Sequence, residues 1–156
     1  MSREEMVTEL LSLARKVNLI VRGTEELQPR EEAHRKLCTT DSAKPGELLE
    51  LIHVLERKGE RWEIADELAD ILYYGCQIGA NVWFPRLETV VNLLGFTVEE
   101  TLQCGLIKYG QRVSTGKKDK QAEGVLVRRY VEKIQQRKTD NQAAIEELRR
   151  ILKEEQ

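Results

Sequence analysis

Cysteine, proline and aromatic residues are scarce in this chain. The three cysteines, Cys38, Cys76 and Cys104, are far apart and odd in number, so neither a CxxC metal site nor a disulfide framework is expected. They are typical of reduced thiols in a cytoplasmic protein. Only three prolines and ten glycines interrupt the 156 residues. Leu, Glu, Lys, Arg and Ala dominate the rest, and this composition favours helix.

Long apolar runs and an excess of charge are also missing. No run approaches the roughly 20 apolar residues that span a membrane. The first residues, MSREEMVTELL, do not contain the apolar segment of a signal peptide. The net charge is −2, which gives no reason to expect nucleic acid or a membrane surface as a partner. We therefore expect a cytoplasmic protein with neither partner.

No segment alternates polar and apolar residues as a strand does, so the sequence predicts an all-α fold. Pro45 suits the first turn of one helix and Gly59 its end, while Thr97-Val98-Glu99-Glu100 is a capping box that begins another. The Gly59 turn predicts an antiparallel two-helix hairpin at the centre of a helical bundle. The predicted helices are 3–21, a short one near 30–37, 45–58, 61–79, a piece from 85 to 95, 97–114, 122–138 and 141–154.

Two pairs of acidic residues lie in the predicted hairpin. Glu47 and Glu50 form an ExxE motif in its first helix, and Glu67 and Asp70 form an ExxD motif in its second. Residues three apart share one face of a helix, a spacing that is also common on solvent-exposed faces. Here both pairs have apolar neighbours, where clustered carboxylates repel one another. The pattern therefore predicts a divalent cation, and oxygen-only ligands favour Mg²⁺ or Mn²⁺.

The order of these motifs resembles a known family. E-x-x-E, sixteen residues, then E-x-x-D followed by Ile71-Leu-Tyr-Tyr74 is similar to the all-α nucleoside triphosphate pyrophosphatases. These are the MazG-like enzymes, with relatives among phosphoribosyl-ATP pyrophosphatases and dimeric dUTPases. The resemblance covers about residues 44–120. It implies a helical core that binds Mg²⁺ through the four acids and splits a nucleoside triphosphate into monophosphate and pyrophosphate. The family motif usually has another Glu where this chain has Gly46, and this departure bears on the number of metal ions.

Positively charged residues follow the acids. Lys108 and Arg112 are four apart and share one face of a predicted helix, while Lys117, Lys118 and Lys120 lie in the loop after it. A triphosphate needs cations for the oxygens that the metal does not reach, and arginine offers bidentate geometry. The resembling family similarly has a Lys and an Arg four apart, often followed by a lysine-bearing loop. All five residues are expected to bind the substrate, although such a loop is by itself typical of an exposed surface.

The expected reaction assigns separate roles to the acids. Glu47 or Glu50 would accept a proton from the attacking water as general base, in addition to binding the metal. Glu67 and Asp70 would act as metal ligands only. Water would attack the α-phosphorus, and pyrophosphate would leave with its charge held by the metal and the cations. Asn81 is a further candidate, for a hydrogen bond to the sugar or base of the nucleotide.

A chain of this length suits one domain. Residues 1–121 form the predicted MazG-like pyrophosphatase core. Residues 122–156 form a C-terminal helical extension that either joins the same domain or contacts another subunit. The hairpin and helix 3–21 bury only part of the apolar surface, and members of the resembling family associate, so we expect a homodimer or tetramer.

Two other functions fit parts of the pattern. A di-iron carboxylate bundle takes Glu-x-x-His motifs from its helices, but neither Glu47 nor Glu67 has a histidine three residues further on. A non-catalytic nucleotide-binding or oligomeric module would retain the helical fold without the activity, and the glycine at position 46 favours it. An Mg²⁺-dependent nucleotide pyrophosphohydrolase is the leading interpretation.

Overall fold

The chain folds into seven α-helices, and the computed structural model describes all residues from 1 to 156. No strand occurs, so the prediction of an all-α fold is confirmed. None of the seven helices combines the length and the apolar character that a membrane crossing requires. The helices are α1 (Arg3–Arg22), α2 (Arg30–Cys38), α3 (Glu47–Glu56), α4 (Arg61–Leu93), α5 (Val98–Thr115), α6 (Lys120–Glu132) and α7 (Asn141–Glu154).

Helix α4 is at the centre of the fold and packs against each of the other six helices. Helix α3 precedes it and is joined to it by residues 57–60, so the two acidic motifs lie on helices that are in contact. Helix α7 is amphipathic and buries Ile145, Leu148 and Ile151. It packs against α3 and α4 of its own chain, so the C-terminal extension is part of the same folded unit.

The start of α5 follows the sequence prediction. The Thr97 hydroxyl accepts a hydrogen bond from the Glu100 amide (3.1 Å), and the Glu100 carboxylate accepts one from the Thr97 amide (2.8 Å). These reciprocal bonds satisfy two amide groups that have no partner within the helix. The predicted capping box is therefore confirmed, and it sets the start of the helix that carries Lys108 and Arg112.

Helix α4 is longer than predicted. The sequence suggested one helix ending at Gly79 and another starting at Pro85, but the helix runs on to Leu93 with a kink at Gly79. Gly79 has φ 157° and ψ 100°, a conformation that a residue without a Cβ adopts most readily. Because the glycine already supplies the break, the second half of α4 begins directly after it. Pro85 then lies inside the helix and does not start it.

Helix α6 is shorter than predicted and ends at Glu132. The guanidinium of Arg61, at the start of α4, donates hydrogen bonds to the carbonyl oxygens of Val131 (3.1 Å), Ile134 (3.1 Å) and Gln135 (2.9 Å). The last carbonyl groups of a helix have no partner within it. Arg61 supplies partners from another helix, so the chain can turn here and connect to α7.

Gly46 caps the N-terminus of α3, which begins later than predicted, at Glu47. Its amide donates a 2.8 Å hydrogen bond to the Thr39 carbonyl oxygen just after α2. A Cβ added at position 46 would lie 2.8 Å from the Thr39 nitrogen and 2.9 Å from the Leu37 carbonyl oxygen. Both contacts are with backbone atoms, which cannot turn aside as a side chain can. Any side chain at position 46 would therefore require the backbone after α2 to shift.

Candidate metal and phosphate site

Five acidic side chains from α3 and α4 line a cavity of about 360 Å³, and four of them are the acids predicted from the sequence. Glu47 and Glu50 come from the first turn of α3, and Glu67 and Asp70 come from α4. One carboxylate oxygen from each of Glu47, Glu50 and Glu67 lies within 4.8 Å of the other two. The structure thus brings together the two acidic pairs that the sequence placed on separate helices.

Two carboxylate oxygens in this cavity lack a partner. Glu47 Oε2 and Glu67 Oε2 are buried and make no hydrogen bond. Burial and the neighbouring acids raise the pKa of Glu47 to about 10 and that of Glu67 to about 8. Unpartnered buried oxygens are costly, and a divalent cation would satisfy them while cancelling the repulsion. Such an all-oxygen donor set fits a hard cation such as Mg²⁺.

Asp70 differs from the other three acids because other side chains already hold one of its oxygens. Asp70 Oδ1 accepts hydrogen bonds from Lys108 Nζ (2.8 Å) and Tyr109 Oη (2.6 Å). Its second oxygen makes no hydrogen bond, but Asp70 is not among the three residues whose ligand atoms lie within 4.8 Å of one another. The Tyr109 ring is stacked on Tyr73 at 3.7 Å between ring centroids, so the tyrosine that orients Asp70 is itself fixed by packing.

Lys108 bridges two carboxylates at the base of the cavity. Its ammonium group lies 2.8 Å from Asp70 Oδ1 and 3.0 Å from Asp66 Oδ1, and only 5% of the side chain is exposed. Burial acts to lower the pKa of Lys108, but the two aspartates outweigh burial and raise that pKa above its ordinary value. Lys108 therefore stays charged and holds the acids in place.

Arg112 is held in a similar way by an acid from α6. Its guanidinium forms a bidentate pair with Glu123, with Nε–Oε2 at 2.8 Å and Nη2–Oε1 at 3.0 Å. The Glu123 side chain is 1% exposed and that of Arg112 is 15% exposed. The guanidinium also lies over the Tyr109 ring, 4.6 Å from its centroid. A bidentate buried pair of this kind has a fixed orientation.

Lys108 and Arg112, which the sequence predicted to bind phosphates, both form ion pairs within the protein. Both residues line the cavity, but both already have carboxylate partners, so neither presents a free cation. The sequence indicated that cations lie near the acids. It did not show that Lys108 would form an ion pair with Asp66, or Arg112 with Glu123.

Two lysines after α5 supply cations without such partners. Lys118 lies in the connection to α6, whereas Lys120, which the sequence predicted in this loop, is the first residue of α6. Lys118 and Lys120 line the cavity, and neither forms an ion pair with an acid of the chain. Burial and the nearby charges of Arg112 and Lys120 lower the pKa of Lys118. All three lysines are exposed, but Lys117 lies outside the cavity lining. Of the three predicted loop lysines, two therefore face the acids and one does not.

Asn81 lies away from the acidic cavity. It is exposed and lines a separate surface cavity with Arg3, Val7 and Phe84. Asn81 follows the kink at Gly79, which redirects the helix after the segment that carries the acids. The predicted role of Asn81 in binding the sugar or base of the same nucleotide is therefore not supported by its position.

Three residues of the site, Asp66, Tyr109 and Glu123, were missed by sequence reasoning. Asp66 precedes Asp70 by four residues, so the shared helix face could have identified it. Tyr109 follows Lys108 directly, and nothing in that order indicates a bond to Asp70. Glu123 sits in the polar segment KQAEG, where a buried acid looks the same as an exposed one.

Comparisons with protein-family models, with curated proteins and with solved structures found no match to this chain.

Proposed function

We propose that this protein is an Mg²⁺-dependent nucleotide pyrophosphohydrolase of the MazG-like type. Its substrate would be a nucleoside triphosphate or related nucleotide, which it would split into the monophosphate and pyrophosphate. The observation that carries the proposal is the pair of buried, unpartnered oxygens on Glu47 and Glu67. They lie in one cavity with free lysines, so the site offers a cation ligand set next to a place for phosphates.

The ligands of the cation would be Glu47, Glu50, Glu67 and the free oxygen of Asp70. When bound, Mg²⁺ would polarise the phosphate and make water a better nucleophile. Glu47, Glu50 and Glu67 each have an oxygen within 4.8 Å of the other two. Glu47 and Glu67 each have a buried oxygen without a hydrogen-bond partner, and Glu50 does not. We therefore assign the general base to Glu50, whose carboxylate would accept the proton of the attacking water.

The fixed ion pairs would preserve the shape of the cavity during the reaction. Lys108 holds Asp66 and Asp70, and Glu123 holds Arg112. Neither pair has to form when the substrate arrives, so the acids are already in position. Lys118 and Lys120 would then bind the phosphate oxygens that face the loop, because they are the cavity cations without a carboxylate partner.

Replacing Lys118 with alanine tests this assignment. A charge-assisted hydrogen bond contributes roughly 1.5–3 kcal/mol, so Lys118→Ala should lower kcat/KM by about 10- to 100-fold. The affinity of the free protein for Mg²⁺ should change little, because Lys118 is not a ligand. Steady-state kinetics with the best nucleotide substrate provides the measurement.

Lys117→Ala is the matched control, since Lys117 is the adjacent lysine but lies outside the cavity. It should leave kcat/KM within about twofold of the wild-type value. Equal losses in the two variants would mean that the loop attracts the nucleotide only through its overall charge, and the assigned contact would be wrong.

The activity itself is tested by measuring pyrophosphate release with Mg²⁺ from each of the eight common nucleoside triphosphates. We expect release from at least one of them, with the monophosphate as the second product and with loss of activity when EDTA is added. Nucleotide binding without release would favour the non-catalytic module. Release of orthophosphate alone would place the bond cleavage at a different phosphorus.

A further inference from the structure

A second cluster of metal-binding side chains lies outside the acidic cavity. His34 and Cys38 are four residues apart on α2, and Glu155 follows the last residue of α7. One ligand atom from each of these residues lies within 4.8 Å of the other two. His34 Nε2 and Glu155 Oε1 are 2.6 Å apart. Residues four apart share one helix face, so His34 and Cys38 both lie on the face of α2 that is next to Glu155.

The donor set is that of a zinc site. Nitrogen, sulfur and carboxylate oxygen are the usual zinc ligands, at about 2.0–2.3 Å from the metal, which puts neighbouring ligand atoms about 3.5 Å apart. The three donor atoms lie within 4.8 Å of one another, so movement of side chains alone would bring them to such spacing. With thiolate and carboxylate ionised, the ligands carry two negative charges, which match Zn²⁺. A thiolate is a soft ligand that Mg²⁺ does not favour.

The surroundings also suit a metal ligand set. The side chains of His34 and Glu155 are 36% and 23% exposed, so solvent reaches the cluster, while Cys38 is buried on its inner side. Arg86 binds Glu155 Oε2 at 2.9 Å and lies 4.4 Å from the centroid of the Trp83 ring. A partner on the second oxygen orients the carboxylate, as outer-shell residues do in metal sites. Oε1 is left facing His34.

We propose that His34, Cys38 and Glu155 bind Zn²⁺ through three protein ligands, with a fourth position open to water. On binding, the Cys38 thiol releases its proton to solvent. His34 binds as the neutral imidazole, and its hydrogen bond to Glu155 gives way to a bond from each residue to the metal. The bound ion ties the C-terminal end of α7 to α2. This site is independent of the proposed hydrolase activity.

Cobalt(II) is the probe for the thiolate ligand. Titration of the full-length protein with Co²⁺ should produce a thiolate-to-metal charge-transfer band that saturates at one equivalent, and Zn²⁺ should displace it. Cys38→Ala should abolish the band. Cys104→Ala, which removes another buried thiol with no histidine or carboxylate cluster around it, should retain it. Absence of the band, or the same band in Cys38→Ala, would overturn the proposal.

Thermal unfolding separates this site from the acidic cavity. At about 100 times the dissociation constant, Zn²⁺ should raise the Tm of the wild-type protein by roughly 5–10 °C. His34→Gln and Glu155→Gln should lose most of that rise, each measured against its own metal-free sample. Glu67→Gln, which alters the acidic cavity, should keep it. If Glu67→Gln loses the rise while His34→Gln keeps it, zinc binds the acidic cavity instead and the proposal fails.

Discussion

Replacing Glu67 with glutamine should lower kcat for pyrophosphate release by more than about 100-fold, because losing an outer-shell partner alone costs 10- to 100-fold and Glu67 would be a direct ligand. Glutamine has nearly the same shape but carries no charge. One of the two carboxylate oxygens becomes an amide nitrogen, which does not bind a cation, and the remaining oxygen is uncharged. Isothermal titration with Mg²⁺ should show a matching loss of affinity.

The same substitution should not damage the fold. Without a divalent cation, clustered carboxylates oppose folding, so Glu67→Gln should keep or raise the free energy of unfolding measured in urea. Glu56→Gln is the matched control. It lies on α3, outside the cavity, in an exposed ion pair with Arg149, and it should retain full activity. Full activity in Glu67→Gln would remove the acidic cavity from the mechanism.

Arg112→Ala should lower the free energy of unfolding by about 3–5 kcal/mol, the usual cost of removing one partner from a buried ion pair. The reason is Glu123, which is 1% exposed and would be left as an unpaired buried charge. The loss of the guanidinium contact with Tyr109 adds to the cost. Urea denaturation followed by circular dichroism measures the change, and Tm should fall by roughly 6–20 °C.

A double variant shows whether the isolated charge is responsible. Arg112→Met combined with Glu123→Leu removes both charges at similar volume and should recover at least half of the lost stability. A loss below about 1 kcal/mol in Arg112→Ala, the value of an exposed ion pair, would contradict the structural role of this pair. Arg112 would then be available to the substrate, as the sequence alone suggested.

The acidic half of the site could be predicted because its geometry is local. An i,i+3 spacing determines which side chains share a helix face, and a short connection after α3 determines that α4 packs beside it. Nothing beyond residues 47–70 is needed to bring Glu47, Glu50 and Glu67 together. The length of α4 was harder to predict, because Gly79 and Pro85 both indicate a helix break. In the structure the helix kinks at Gly79 and continues through Pro85.

The cationic half could not be predicted in the same way, because its partners are set by tertiary packing. Whether Arg112 binds a phosphate or pairs with Glu123 depends on how α6 packs against α5. The spacing of residues within either helix does not predict that packing. The burial of Glu123 also could not be predicted, because the residues around it in the sequence are mostly polar. The sequence therefore identified the cavity cations but not which of them are already paired.

The closeness of Gly46 to the backbone after α2 limits how this protein can evolve. An acid at position 46, as the resembling family usually has, would place its Cβ 2.8 Å from the Thr39 amide nitrogen and 2.9 Å from the Leu37 carbonyl oxygen, so the backbone there would have to shift. The connection between α2 and α3 would have to change first, or in the same step. Among descendants of this chain, a side chain at position 46 should therefore occur together with other changes in residues 37–46 that move this backbone.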